Sequence, residues 1–177
     1  VLKELNLKDT IFDIKITRKE IYDSNGFDDV EFLISTNKGE KTKSLAQVAS
    51  GGELSRIMLA LKSILYECDE IETMIFDEID TGISGRTAQS VAIKLEQLSK
   101  NKQIFCITHL PQIAAMSDNH YIIEKSSSKN KTTTKMIKLN EATIPNELAR
   151  LIGGAKITDT VIESAKEMRT LARNIKQ

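Results

Sequence analysis

The chain has 177 residues, 40% of them hydrophobic and 28% charged, with equal acidic and basic counts and a formal net charge of zero. That length buries one core of ordinary size, and that composition belongs to globular rather than disordered proteins. Zero net charge excludes a general electrostatic pull towards nucleic acid or membranes and leaves only local patches for such contacts.

No apolar run nears the ~20 residues that cross a bilayer, and Val1-Leu2-Lys3-Glu4-Leu5 has no secretion-signal character. The expected setting is therefore the cytoplasm, with no membrane partner. A first residue other than Met is read as the start of a piece of a longer protein. Cys68 and Cys106 stand in apolar contexts without metal-ligand spacing, and both are expected as buried thiols. No internal repeat or low-complexity linker divides residues 1–177, so a single domain is expected.

In chain order, Phe12-Asp13-Ile14-Lys15-Ile16-Thr17 alternates apolar and polar, as a half-buried strand should. Asp23-Ser24-Asn25-Gly26 signals a turn and Val30-Glu31-Phe32-Leu33-Ile34 the returning strand of a hairpin. Leu54, Ile57, Met58, Leu61 and Leu65 recur at helical spacing, predicting an amphipathic helix over residues 52–66. Thr73-Met74-Ile75-Phe76 reads as a strand buried on both faces. A helix through Ala88, Val91, Ala92, Leu95 and Leu98 and a second buried strand, Gln103-Ile104-Phe105-Cys106-Ile107, complete a βαβ unit with parallel strands. Beyond Pro111, residues 112–116 suggest a short helix. Residues 121–124 and 133–139 suggest strands joined by a polar turn over 126–131. Ile157, Val161, Ile162, Ala165, Met168 and Ala172 define a closing helix with Thr158 as N-cap.

Three segments carry chemistry. Asp77-Glu78 ends a buried strand, where open α/β sheets place their ligands. One Asp there suits Mg²⁺, which needs few protein ligands, and the next Glu suits a base that polarises water. The plain alternative is a solvated turn. Ser50-Gly51-Gly52 ahead of a helix lets the backbone approach a phosphate at a helix N-terminus. Ser50 with Glu53 also reads simply as a capping box. His109 follows the second buried strand, at the same sheet edge, placed to hydrogen-bond a phosphate or a water. A structural role is its alternative, and His120 reads as a loop residue. No Gly-x-x-x-x-Gly-Lys-Ser/Thr phosphate loop occurs, since Gly39-Glu40-Lys41-Thr42 has Ile34 in place of the first glycine.

The strings Ala49-Ser50-Gly51-Gly52-Glu53-Leu54-Ser55-Arg56-Ile57-Met58, Phe76-Asp77-Glu78-Ile79-Asp80-Thr81-Gly82-Ile83-Ser84-Gly85 and Ile107-Thr108-His109-Leu110-Pro111-Gln112-Ile113 closely resemble the RecN family of bacterial SMC-like DNA-repair proteins. The likeness continues through Glu147-Leu148-Ala149-Arg150-Leu151-Ile152-Gly153-Gly154. It implies an α/β fold, the C-terminal lobe of an ABC/SMC-type ATPase head, with a mainly parallel sheet flanked by helices and with β-hairpins. Val1 to Asp9 then ends a returning coiled-coil arm.

The resemblance also implies a division of labour. Asp77 binds Mg²⁺, Glu78 is the catalytic base and His109 the switch histidine. Asp80 meets the opposite head, while Ser50, Gly51, Gly52 and Glu53 meet the ATP that head holds. Implied partners are an N-terminal Walker A lobe of the same protein, a second head across sandwiched ATP, and DNA in double-strand-break repair. The chain alone is expected to be inactive. Two rival functions stand beside this one: a non-hydrolysing, ATP-gated clamp, and direct DNA binding by Lys38, Lys41 and Lys43 or by Lys125, Lys129, Lys131 and Lys135.

Overall fold

The computed structural model describes every residue except 48–49, 67, 69, 129–130, 155 and 177, together with all side chains of the described residues except those of 128 and 131. Among the described residues, three small sheets and five α-helices surround one main core. A 3-10 turn, Leu2–Leu5, opens the chain and plugs that core with Leu5, which is fully buried. Strands β1 (Ile11–Asp23) and β2 (Gly26–Ser35) pair antiparallel around the expected turn, and β3 (Lys43–Ser44) adds a short third strand.

The register of β1 and β2 sorts their side chains cleanly. Phe12, Ile14 and Ile16 stand opposite Ile34, Phe32 and Val30, so one face of the ribbon is apolar from its base as far as the charged pair Arg18 and Asp28. The expectation of a half-buried strand fails over much of this face. Ile14, Ile16, Val30 and Phe32 are 42–63% exposed, because no element among the described residues covers them.

Helix α1 (Gly51–Leu65) matches the predicted span. Its buried stripe is Gly52, Arg56, Ile57, Leu59 and Ala60, rotated from the expected one, and Met58 and Leu65 face outwards. The parallel part of the fold is β4 (Thr73–Phe76), joined through α2 (Gly85–Ser99) to β5 (Gln103–Cys106). Met74 and Phe76 enter the core with Val91, Ala92 and Leu95 of α2. Burial on both faces is not found: Ile75 and Phe105 point the other way, 71% and 50% exposed.

Helix α3 (Pro111–Ala114) starts on a proline, whose missing N–H costs nothing at a helix start. Strands β6 (Tyr121–Ser128) and β7 (Lys131–Lys138) form a hairpin longer than predicted, since residues 126–128 pair instead of turning. Helix α4 (Ile144–Gly153) was not expected from the sequence; it inserts Ile144, Leu148 and Ala149 into the core. In α5 (Asp159–Lys176), Ala165 and Ala172 pack against that core, and the Ile162 N–H bonds the Thr158 carbonyl, as an N-cap at Thr158 requires. Arg169 is buried between them. Its guanidinium donates to the carbonyls of Ala115 and Ser117 at 2.5 and 2.7 Å, tying α5 to the end of α3. Cys68 is exposed and not buried as expected, because it lies just past the end of α1. Among the described residues no helix is long and apolar enough to cross a membrane.

Candidate functional site at the carboxyl edge of the parallel strands

The chain turns sharply after β4. Ile79 is fully buried and anchors a turn in which the Thr81 N–H bonds the Glu78 carbonyl at 3.0 Å. Asp77 Oδ1 accepts the Glu78 N–H at 2.8 Å. Glu78 is held at φ 56°, a left-handed conformation that non-glycine residues seldom adopt and that recurs at functional turns. The side chains of Asp77 and Glu78 are thereby left exposed at the strand end.

Helix α1 seats its first turn on this acidic turn. Ser50 is the N-cap, its hydroxyl accepting the Glu53 N–H at 3.4 Å, so the capping half of the expected pattern is present. The glycines have a local reason to be there. A Cβ at Gly52 would stand 2.9–3.0 Å from Thr81 Cβ and the Glu78 and Thr81 carbonyls, and one at Gly51 2.3 Å from Glu78 Oε2. One helical turn on, the Ser55 hydroxyl donates to the Asp77 carbonyl at 2.8 Å. The buried Arg56 donates to the carbonyls of Ile79 and Thr81 at 3.2 and 2.8 Å. Burial lowers its pKa from the ordinary arginine value, with Glu53 acting weakly the other way. The sequence reading passed over Arg56, because an arginine within a helical stripe ordinarily faces solvent.

The third segment meets the second through Asp80. This carboxylate is only 4% exposed, and one oxygen accepts three bonds: from the Thr108 hydroxyl at 2.6 Å, the His109 N–H at 2.8 Å and His109 Nδ1 at 2.9 Å. The resemblance gives Asp80 a contact with an opposite head; within this chain the fold after Glu78 turns the carboxylate inwards onto the segment that follows β5. A carboxylate only accepts, so Nδ1 carries the proton and Nε2 points away. The His109 side chain is 71% exposed, leaving Nε2 at the open edge.

The structure thus brings Ser50, Gly51, Gly52, Asp77, Glu78, Asp80 and His109 to one edge, while Glu53 lines a cavity beside Ile34, Ser35 and Gln47; Ala49, which opens the first of the three strings, lies outside the described residues. Among the described residues no three His, Cys, Asp or Glu gather closely enough to hold a metal ion. One exposed carboxylate, Asp77, fits Mg²⁺, which takes one or two carboxylates together with substrate phosphates and water. It does not fit a metal held by protein alone. His120 lies in a loop, as expected, yet it is buried: it is 8% exposed, its Nδ1 lacks a partner among the described residues, and burial lowers its pKa.

No profile of a known protein family matches the chain. It is 46% identical to the DNA repair protein RecN of Halalkalibacterium halodurans over 179 aligned positions, which cover 99% of the chain and 32% of that protein. It is 49% identical to the DNA repair protein RecN of Bacillus subtilis over 151 positions, 85% of the chain and 26% of that protein. The chain therefore spans about a third or less of the length of the curated relatives it matches. Among solved structures, the Smc head domain with a coiled coil and joint from Pyrococcus yayanosii superposes with a TM-score of 0.54 at 19% identity, over 93% of this chain and 27% of that one. That likeness shows the fold, a lobe of an SMC-type head.

Proposed function

We propose that this chain, which belongs to the RecN family, supplies the acidic and signature half of a composite ATPase site that works in DNA repair. The observation that carries the reading is the convergence at one sheet edge of an acidic turn, a serine-capped helix that starts on two glycines and an oriented imidazole. Asp77 would hold Mg²⁺, whose charge would stabilise the phosphates. Glu78 takes the proton of the attacking water, and His109 Nε2, unprotonated while Nδ1–H bonds Asp80, accepts a hydrogen bond from water at the γ-phosphate edge. Ser50, Gly51 and Gly52 face the nucleotide of a second head. Arg56 and Ser55 lock that surface to the acidic turn, so what the signature helix meets is felt at Glu78.

The phosphate-binding loop comes from the rest of the protein. Two open apolar surfaces support this: the face of β1 and β2 carrying Ile14, Ile16, Val30 and Phe32, and the Ile75 and Phe105 side of β4 and β5. Surfaces of this kind are covered in a stable protein, and the two thirds of the relatives' length beyond this match supply the cover. The whole protein acts in the bacterial cytoplasm as a dimer of heads on DNA.

The test is ATP turnover by the whole protein. Glu78→Gln keeps the shape and removes the base, and turnover should fall by about 10²–10⁴-fold, the usual contribution of a general base. Ser50→Arg should block the shared surface while sparing nucleotide binding, and mixing the two variants should restore part of the activity. Normal turnover by Glu78→Gln would overturn Glu78 as the base, no turnover by the unmodified protein would reduce ATP to a clamp ligand, and no recovery on mixing would place the site within one chain.

A further inference from the structure

The hairpin of β6 and β7 contributes nothing to the composite site, yet its composition differs from that of the rest of the molecule. Residues 121–138 hold five lysines against one glutamate in a chain whose total charge is zero, so the rest of the chain is net acidic. The two strands pack chiefly on each other, and the Leu139 N–H bonding the His120 carbonyl at 2.8 Å closes their base.

The arm divides into two halves. Near its base, Ile122 pairs with Ile137 and Ile123 with Met136. Beyond them, Glu124, Lys125 and residues 126–128 pair with Lys135 and residues 131–134, and this half contains no aliphatic or aromatic side chain. It extends about 17 Å, five residues at roughly 3.3 Å each. Nothing in this half serves packing, and an unsupported two-stranded ribbon is only marginally stable in water. Hydroxyl pairs across the strands hold it: Ser126 with Thr133 at 3.0 Å and Ser127 with Thr132 at 3.2 Å. Lys125 and Lys138 lie on one face and Lys135 on the other, all exposed.

We propose that the β6–β7 hairpin is an arm that binds the phosphate backbone of duplex DNA. A two-stranded ribbon fits the major groove, and lysines on both faces suit a ribbon lying between two rows of phosphates. Lysine and hydroxyl donors are the groups that contact phosphate without reading sequence. The proposal rests on the reading of the whole protein as a DNA-repair machine and assigns it a surface.

The experiment measures binding of the whole protein to a short random-sequence duplex from about 50 to 200 mM salt. The test variant is Lys125→Glu/Lys135→Glu/Lys138→Glu. Its control is Lys38→Glu/Lys41→Glu/Lys43→Glu, the same charge change in and just before the short strand β3. Each phosphate contact contributes about 0.9 to the slope of log affinity against log salt. The arm variant should therefore lose about 2–3 in slope and on the order of 100-fold in affinity near 100 mM salt, with the control close to the unmodified protein. Circular dichroism, unchanged in both, confirms folding at these exposed positions. Equal losses in arm and control variants, or an unchanged slope in the arm variant, would overturn the arm while leaving DNA binding itself intact. No salt-dependent DNA binding by the unmodified protein would overturn the DNA reading as well.

Discussion

The three bonds on Asp80 make replacement of this residue the most informative perturbation of the fold. Asp80→Ala removes one buried acceptor and leaves three donors: the Thr108 hydroxyl, the His109 N–H and His109 Nδ1. A donor left without its partner costs about 1–3 kcal/mol when buried, and bonds to a charged acceptor stand at the upper end. Water reaches the 71%-exposed imidazole, so its share is small. The two donors beneath it dominate, and the expected loss is about 2–4 kcal/mol. Asp80→Asn keeps an oxygen in place without its charge and should lose about half of that. Urea unfolding followed by circular dichroism measures both. Nitrogen NMR supplies a second readout that a merely structural role would not move: His109 should leave the Nδ1–H tautomer in Asp80→Ala. A loss below about 1 kcal/mol, or an unchanged tautomer, would refute the positioning role.

Gly52→Ala should destabilise by about 1–2 kcal/mol although alanine is ordinarily worth about 1 kcal/mol over glycine in a helix, because its Cβ meets backbone oxygens at 3.0 Å. Gly51→Ala meets only the mobile Glu78 carboxylate, so it should leave the urea midpoint unchanged or raised while lowering ATP turnover of the whole protein. Burial lowers the pKa of His120 in the fold, whereas the unfolded chain protonates it near pH 6.5; stability should fall as pH drops below that value towards the lowered folded one, and His120→Gln should flatten this dependence in urea midpoints. Burial and the nearby Asp80 and Asp77 push the Cys106 thiol up to about 12. Iodoacetamide near neutral pH should therefore add one label to the native chain, at the exposed Cys68, and two after unfolding, as mass spectrometry would record.

What the sequence revealed and concealed follows from the range of the interactions. The span of α1, the Asp23–Gly26 turn and the placement of Asp77 and His109 at one edge rest on local periodicity and strand order. Arg56, Arg169 and Asp80 were not legible in their structural roles, because their partners are carbonyls and donors 23–54 residues away and charge alone suggests solvent. Helix α4 was legible in principle. Pro145 at its start and the spacing of Ile144, Leu148 and Leu151 mark it, yet the segment was read only as motif. The outward turn of Ile75 and Phe105 was not visible at all, since an apolar strand does not say whether both of its covers lie in the same chain.

The composite ATPase is tested most directly by mixing this chain with the remaining part of the protein and measuring ATP hydrolysis. The chain alone should bind ATP weakly and turn none over, the mixture should hydrolyse it, and Glu78→Gln in this chain should abolish nearly all of that activity. Hydrolysis by the chain alone, or a mixture whose activity is indifferent to Glu78→Gln, would contradict the account.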